Sequence, residues 1–406
     1  MTQSNLFFEY IAVRKLSQSI FIITLLLFGL PTAAQEQGNF ELFQKVRHEE
    51  NLALAPTALI DALSLLYFGS SGETEVSLKS YLFTEMNRHE AAKHAQQKQR
   101  TLPGYRSIGS LWFSNRLVLN DEFLKSAKTN WEYHTERIPI RADKQKAFSR
   151  INKWYSEQTH GSINSVGSLS DLDAPSDMLG FIVTAFASPW DKNHFKARLT
   201  SNEPFHRSTS EQFDVSMMKA VDSFQYYENE ILQGLKISYA NKTTSLLLLL
   251  PKNAKNFSSI KSQISSDIYN EFLTSMTQTR VRLWLPKVNY TSKITWHEVF
   301  KQSPIACAFT PQEAEFRHIN NNSPEPLFIS SLTQEVMVRW DERGTEARST
   351  TSFAADPFGP SPNPEPSHQP ISFIANHPFF YFIVNSSNKN VLFSGIIDSQ
   401  EQMLSH

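Results

Sequence analysis

Glu342-Arg-Gly-Thr-Glu-Ala-Arg-Ser-Thr-Thr-Ser-Phe-Ala-Ala-Asp-Pro-Phe358 has the pattern of a strand without a sheet. On a period of two, Thr345, Ala347, Ser349, Thr351, Phe353, Ala355 and Pro357 fall on one face, and Glu346, Arg348, Ser352 and Asp356 on the other. From Thr345 onward, every charge lies on one side. A ribbon of this kind can become the centre of an antiparallel sheet with its charges still in water. Its flanks are not those of a settled strand. Gly344 stands near its start, and Pro360, Pro362, Pro364, Pro366 and Pro370 follow it, removing ladder donors and holding the chain extended. On composition alone the same stretch also reads as a surface loop rich in Ser, Thr and Pro.

The surrounding chain decides between the two. Its 406 residues, 40% hydrophobic with 30 Phe and 13 Gly, can bury a large core. Lys and Arg total 39 against 40 Asp and Glu, so no global field recruits nucleic acid or an acidic membrane. Partners must be found by local surfaces. Cys307 is the only cysteine. No internal disulfide can form, and a lone Cys reads first as a small buried hydrophobe.

The N-terminus reads as a secretory signal peptide over residues 1–34. Arg14 and Lys15 precede the apolar run from Ser19 to Leu30, which ends at Pro31-Thr-Ala-Ala34 with cleavage expected after Ala34. The run is short for a bilayer span, and no later stretch reaches the about 18 unbroken apolar residues a transmembrane helix needs. The expectation is therefore a secreted, extracellular protein with residues 35–406 as one domain, monomeric and without a membrane segment. Sequons begin at Asn241, Asn256, Asn289, Asn321 and Asn385 and are candidates for glycosylation in an exported chain. Pro324 makes Asn321 the weakest of them.

Local patterns place helices early and strands late. Residues 56–68 read as a helix, with Pro56 in the first turn, Leu59, Ala62, Leu63 and Leu66 on one face, and Gly69 as the stop. Residues 146–160 read as another, burying Phe148, Ile151, Trp154 and Tyr155. Strands are expected at 245–251, 281–286 and 327–340, with a closing pair at 379–384 and 391–397. This order predicts an α+β fold rather than βαβ alternation.

Catalytic and metal signatures are weak. His89-Glu-Ala-Ala-Lys-His94 is one residue too long for a zinc helix, since positions i and i+5 point roughly 140° apart. Gly69-Ser-Ser-Gly72 lacks nucleophile-elbow spacing, and no phosphate-binding glycine loop is present. No enzyme chemistry, cofactor or metal site is expected. Arg88, His89, Lys93, His94, Lys98 and Arg100 form a basic patch, either a solvated helix face or a site for a sulfated polysaccharide.

With these pieces in place, the chain resembles a serpin over most of its length. Asn51-Leu-Ala-Leu-Ala-Pro56 through Gly69-Ser-Ser-Gly-Glu-Thr74 is similar to the family's early helix and its following turn. Ile151-Asn-x-Trp154, Thr159-x-Gly-x-Ile163, Trp190, Phe195, Val215-x-Met-Met218, Leu250-Pro251, Leu285-Pro286-Lys287, Glu342-x-Gly-Thr-Glu-Ala347, Pro378-Phe379 and Leu392-Phe393-x-Gly395 then follow in the family's order. The resemblance implies three β-sheets, about nine helices and an exposed reactive loop over residues 342–377. It also implies suicide inhibition of a serine protease, in which the loop is cut and its freed part inserts into the main sheet.

Counting from the hinge, Glu342, Gly344, Thr345, Glu346 and Ala347, places the reactive bond at Phe358–Gly359. A bulky aromatic residue there suits a chymotrypsin-like pocket rather than one with a buried acid, and the expected target is a chymotrypsin- or elastase-like serine protease. No Lys or Arg lies between Arg348 and Lys389, which argues against trypsin-like targets. The resemblance places Trp190, Lys287 and Glu342 where the loop first enters the sheet. The family's polar cluster beneath the parting sheet is replaced here by Ala55, Ala58, Thr184 and Gln334. That departure, with the proline-rich loop, leaves a non-inhibitory serpin with a binding, carrier or signalling role as the alternative.

Overall fold

The computed structural model describes residues 33–49, 51–82, 84–98, 102–172, 177–208, 210–320, 327–345 and 369–403. Its helices are α1 (Ala33–Val46), α2 (Pro56–Gly69), α3 (Gly72–Tyr81), α4 (Arg88–Lys98), α5 (Asp121–Asn130), α6 (Lys144–Gln158), α7 (Phe257–Lys261), α8 (Ser266–Ser275) and α9 (Trp296–Phe300). The first strands are β1 (Ala53–Leu54), β2 (Tyr105–Ser114), β3 (His134–Ile138), β4 (Met178–Phe186), β5 (Ser188–Pro189), β6 (Ser201–His206), β7 (Gln212–Glu228) and β8 (Leu232–Ser238). They continue as β9 (Thr244–Pro251), β10 (Thr277–Pro286), β11 (Val288–Thr295), β12 (Ile329–Asp341), β13 (Gly344–Thr345), β14 (Ile371–Ile374), β15 (Phe379–Asn385) and β16 (Val391–Ile397).

These strands form two hydrogen-bonded sheets. One follows the order β3-β2-β4-β12-β13-β5, with β11 on the other flank of β12. The second follows β1-β16-β15-β9-β8-β7-β10-β14, with β6 also on β7. The α+β class is as expected, and the three expected sheets are present with two of them fused. Fusion occurs through β7, whose first half pairs with β6 and whose last residues, 225–228, pair with β8. A strand this long belongs to both blocks.

The leucine run behaves as its composition dictates. All of β9 is buried, because β8 and β15 flank it and both its faces are covered. The closing pair forms as β15 and β16, antiparallel from Phe379↔Ile397 onward. Helix α2 departs from the one-sided expectation: Leu65, Tyr67 and Phe68 are buried along with Leu59, Ala62, Leu63 and Leu66. It is a central helix, packed on β4 and β16, and so needs apolar residues all round. Helix α6 starts earlier than expected, at Lys144, because the Asp143 carboxylate caps it by accepting from the Lys146 N–H at 2.9 Å. Ala147, Ile151 and Tyr155 bury its inner face over Trp112, Leu179, Phe181 and Val183 of the first sheet.

One seam organises the rest. Strands β4 and β12 run parallel and pair directly from Ile329↔Met178 to Met337↔Ala185. At the upper end β13 lies between β5 and β12, antiparallel to both. The first sheet is thus closed along its lower part and already parted by two residues at the top. Below the seam, Arg116 Nε (2.7 Å) and Arg141 Nη2 (2.7 Å) both donate to the buried Asp177 carboxylate. This ties the ends of β2, β3 and β4 into one block. Burial alone would raise the Asp177 carboxyl, but the two guanidinium bonds hold it below the usual Asp range.

Candidate functional site

The hinge is a tight hairpin. Trp340 faces Thr345 and Asp341 faces Gly344, so Glu342 and Arg343 form the two-residue turn. Gly344 has φ +148°, and a Cβ there would stand 2.4 Å from Ser188 O and 2.5 Å from Pro189 Cα. Both contacts are backbone and cannot yield. Glycine is required by the close approach as well as by the dihedral.

Trp190 holds the turn from one side. Its backbone N–H donates to Arg343 O and its indole Nε1 to Asp341 O, each at 3.0 Å. The indole stacks on Tyr239, with centroids 4.9 Å apart and planes 11° from parallel. Tyr239 in turn places its hydroxyl 2.6 Å from Thr345 Oγ1. Glu342 is held from the other side, accepting from Thr200 Oγ1 at 2.7 Å and pairing with Lys287 Nζ at 3.3 Å. Burial pushes the Glu342 carboxyl up, yet the Thr200 bond, its own backbone N–H and Lys287 together hold it below the ordinary Glu value.

The structure therefore brings Trp190, Lys287 and Glu342 together around Gly344 and Thr345. Thr200, Tyr239 and Asp341 complete the brace and were not found from sequence. Nothing local marks them, since each acts through a partner far along the chain.

The expected exposed loop over residues 342–377 needs correction at both ends. Thr345 is buried at 1% exposure inside the sheet, because Gly344 turns the chain down between β5 and β12. At the far end β14 pairs parallel with β10, from Val281↔Ile371 to Trp284↔Ile374. Glu346, Ala347 and the Phe358–Gly359 bond lie outside the described residues.

Beneath the seam the replaced cluster has its own solution. Gln334 Nε2 donates to Ala55 O at 2.9 Å, and Ala55 N–H donates to Gln334 Oε1 at 3.2 Å. One amide satisfies both backbone groups of the residue before Pro56, where α2 has no side-chain cap of its own. Ala58 is buried against this point, and Thr184 Oγ1 reaches Glu335 O at 3.5 Å. Glu335 itself is buried and accepts from the Gly167 N–H at 3.0 Å. Burial pushes its carboxyl above the ordinary value against the pull of that bond and of Lys293.

The sequons separate by environment. Asn256 and Asn289 are exposed. Asn385 is 8% exposed with Oδ1 accepting from Ser387 N–H, and Asn241 Nδ2 donates to Pro103 O and Thr244 Oγ1. A glycan needs a free amide in solvent, which the folded chain does not offer at Asn385. Asn321 lies outside the described residues. The basic patch of α4 is partly engaged: Arg88 sits over the Phe68 ring and His89 lies 3.8 Å from Glu122. The Lys98 side chain and Arg100 lie outside the described residues. Cys307 is half-buried.

Comparison with known proteins agrees with this architecture. The family model for Serpin (serine protease inhibitor) matches residues 33–399. An uncharacterized serpin-like protein of Thermococcus kodakarensis is 26% identical over 364 residues, covering 88% of this chain and 82% of that protein. The leukocyte elastase inhibitor of Xenopus laevis is 23% identical over 380 residues, covering 88% of this chain and 96% of that protein. The crystal structure of the thermophilic serpin tengpin in its native state superposes with a TM-score of 0.79 at 21% identity, over 90% of this chain and 93% of that one. The chain belongs to the serpin family, whose general activity is inhibition of serine proteases.

Proposed function

We propose that this protein is a secreted suicide inhibitor of a chymotrypsin- or elastase-like serine protease, cut at Phe358–Gly359 and trapping the acylated enzyme by strand insertion. The observation that carries this reading is β13: two residues of the ribbon already stand between β5 and β12 in the antiparallel sense. Below them only the β4–β12 ladder has to part. A freed ribbon following Thr345 gains ladder bonds on both sides, and its small, uncharged face turns inward as Thr345 does. The name of the Xenopus relative, an elastase inhibitor, supports the target class. For the secreted location, support comes from the charged and apolar pattern of residues 1–34 and from a family match that begins at residue 33. No helix among the described residues is long and apolar enough to cross a membrane.

The test is incubation of the full chain with chymotrypsin and with elastase, followed by a denaturing gel. A band at the summed mass, stable in denaturant, is the expected result. Cleaved loop with no such band would move the chain to the non-inhibitory serpins.

A further inference from the structure

The chain that leaves α6 for β4 passes across the face of the first sheet. Gln334 points inward to Ala55, so strand alternation turns its neighbour Glu335 to the opposite face, the one that α6 covers. Glu335 pairs in register with Val183 of β4 on one side and with Lys293 of β11 on the other. The three side chains make one row on that face, and residues 163–172 lie over it.

These residues are held on both sides of the β4–β12 join. On the near side Val166 and Leu172 are buried with Leu179, Phe181 and Val183 of β4. Helix α6 ties them as well, since Asn152 Oδ1 accepts from the Val166 N–H at 2.9 Å, and Thr159 Oγ1, just beyond the helix, accepts from the Ile163 N–H at 3.0 Å. On the far side the Glu335 carboxylate of β12 accepts from the Gly167 N–H at 3.0 Å, and Lys293 Nζ of β11 stands 3.8 Å from Asp171 Oδ2.

Parting β12 from β4 moves Glu335 and Lys293 away from Phe181 and Val183, so the two far-side contacts must break while the near-side ones need not. We infer that residues 163–172 are a strap across the seam with Glu335 as its latch, fastened while the carboxyl is protonated and eased when it ionises. This deepens the inhibitory reading and rests on it, because the seam is the one that a freed ribbon would enter.

The groups around the latch give the switch its sign. Burial pushes the Glu335 carboxyl above 4.5, against the Gly167 bond and Lys293, and Asp171 adds to the rise. From α6 the Tyr155 hydroxyl interacts with Glu335; it is buried, bonded to Ser110 Oγ and Phe181 O, and pushed far up, so it stays uncharged. Strand β4 presents Val183 and no charge. His297 of α9, which burial pushes below the ordinary His value, interacts with Asp171. A buried charge costs less once opening lets water reach it, so ionisation of Glu335 favours the open seam and protonation the closed one.

The experiment measures how fast the full chain takes up a fluorescent peptide with the sequence of residues 345–357, from below pH 4.5 to neutrality, in the wild type and in Glu335→Gln, Glu335→Ala and Lys293→Met. Wild-type uptake should quicken as pH rises. Glu335→Gln keeps an acceptor for Gly167 without the charge, and should be slow and independent of pH. Glu335→Ala has no latch and should be independent of pH but about tenfold faster than Glu335→Gln. Lys293→Met removes the cation that favours ionisation, and should move the wild-type profile to higher pH. A Glu335→Gln variant that keeps the wild-type pH profile, or a Glu335→Ala variant no faster than Glu335→Gln, would overturn the inference.

A wild type that takes up no peptide at any pH is instead the failure of the inhibitory reading. The latch is then read from amide hydrogen exchange of residues 163–172. Faster exchange in Glu335→Ala than in Glu335→Gln at the same pH supports the strap, and equal exchange removes it.

Discussion

The Thr345 hydroxyl lies 2.6 Å from that of Tyr239, so the first insertable residue of the ribbon is docked before any cleavage. Under the proposed function, insertion would extend a pairing that exists rather than create a new one. Replacing Thr345 by arginine places an unpaired charge at a position with 1% exposure, where it cannot stay ionised without large cost. Thr345→Arg should convert the protein from inhibitor to substrate: cleavage proceeds, trapped complex disappears, and a titration of inhibited protease against added protein shows the change.

Gly344→Ala tests the close approach. The new methyl would meet Ser188 O at 2.4 Å at a φ of +148°, and the hairpin should leave the gap at a cost of about 1 kcal/mol or more. Because Trp190 donates to Arg343 O and Asp341 O, its fluorescence should shift toward that of a solvated indole. An unchanged spectrum and melting temperature would show that the hairpin does not depend on this glycine.

Among the described residues, Gln334 is the only side chain hydrogen-bonded to the Ala55 backbone at the head of α2. In Gln334→Leu the buried Ala55 N–H loses its acceptor, and chemical denaturation should show a loss of about 1–3 kcal/mol. Gln334→Glu would keep the acceptor but present a carboxylate oxygen to Ala55 O, and should be worse at neutral pH than at acid pH.

Glu335 predicts a pH dependence with a definite sign. Its folded carboxyl titrates above the ordinary value of 4.5 because it is buried. A raised carboxyl contributes stability that is complete below the unfolded value and is lost as pH rises through the folded one. Glu335→Gln keeps the acceptor for Gly167 and removes the charge. The variant should therefore melt with the wild type below pH 4.5 and progressively above it as pH rises toward neutrality. A constant difference across that range would contradict the assignment.

Much of the fold was legible where one residue pattern sufficed. The leucines of β9, the closing pair β15 and β16, and the proline-led start of α2 each carry their signal within a few residues. Strands β2, β3 and β4 were not foreseen, although they build the sheet that matters. Part of the reason is Gly109, which interrupts β2 because the Tyr133 ring fills the space of a side chain, 2.1 Å from where a Cβ would stand. Trp190, Lys287 and Glu342 were legible only through the family resemblance. Thr200, Tyr239 and the Gln334–Ala55 pair were not legible at all, because their meaning lies in contacts between residues distant in sequence.

The most direct test of strand insertion is a thermal scan before and after a protease cuts within residues 346–368. At about 1 kcal/mol per added ladder bond and roughly 1.3 °C per kcal/mol for a folded chain of about 370 residues, about five new bonds predict a rise of about 6 °C. A clipped protein that melts where the intact one does would contradict the account.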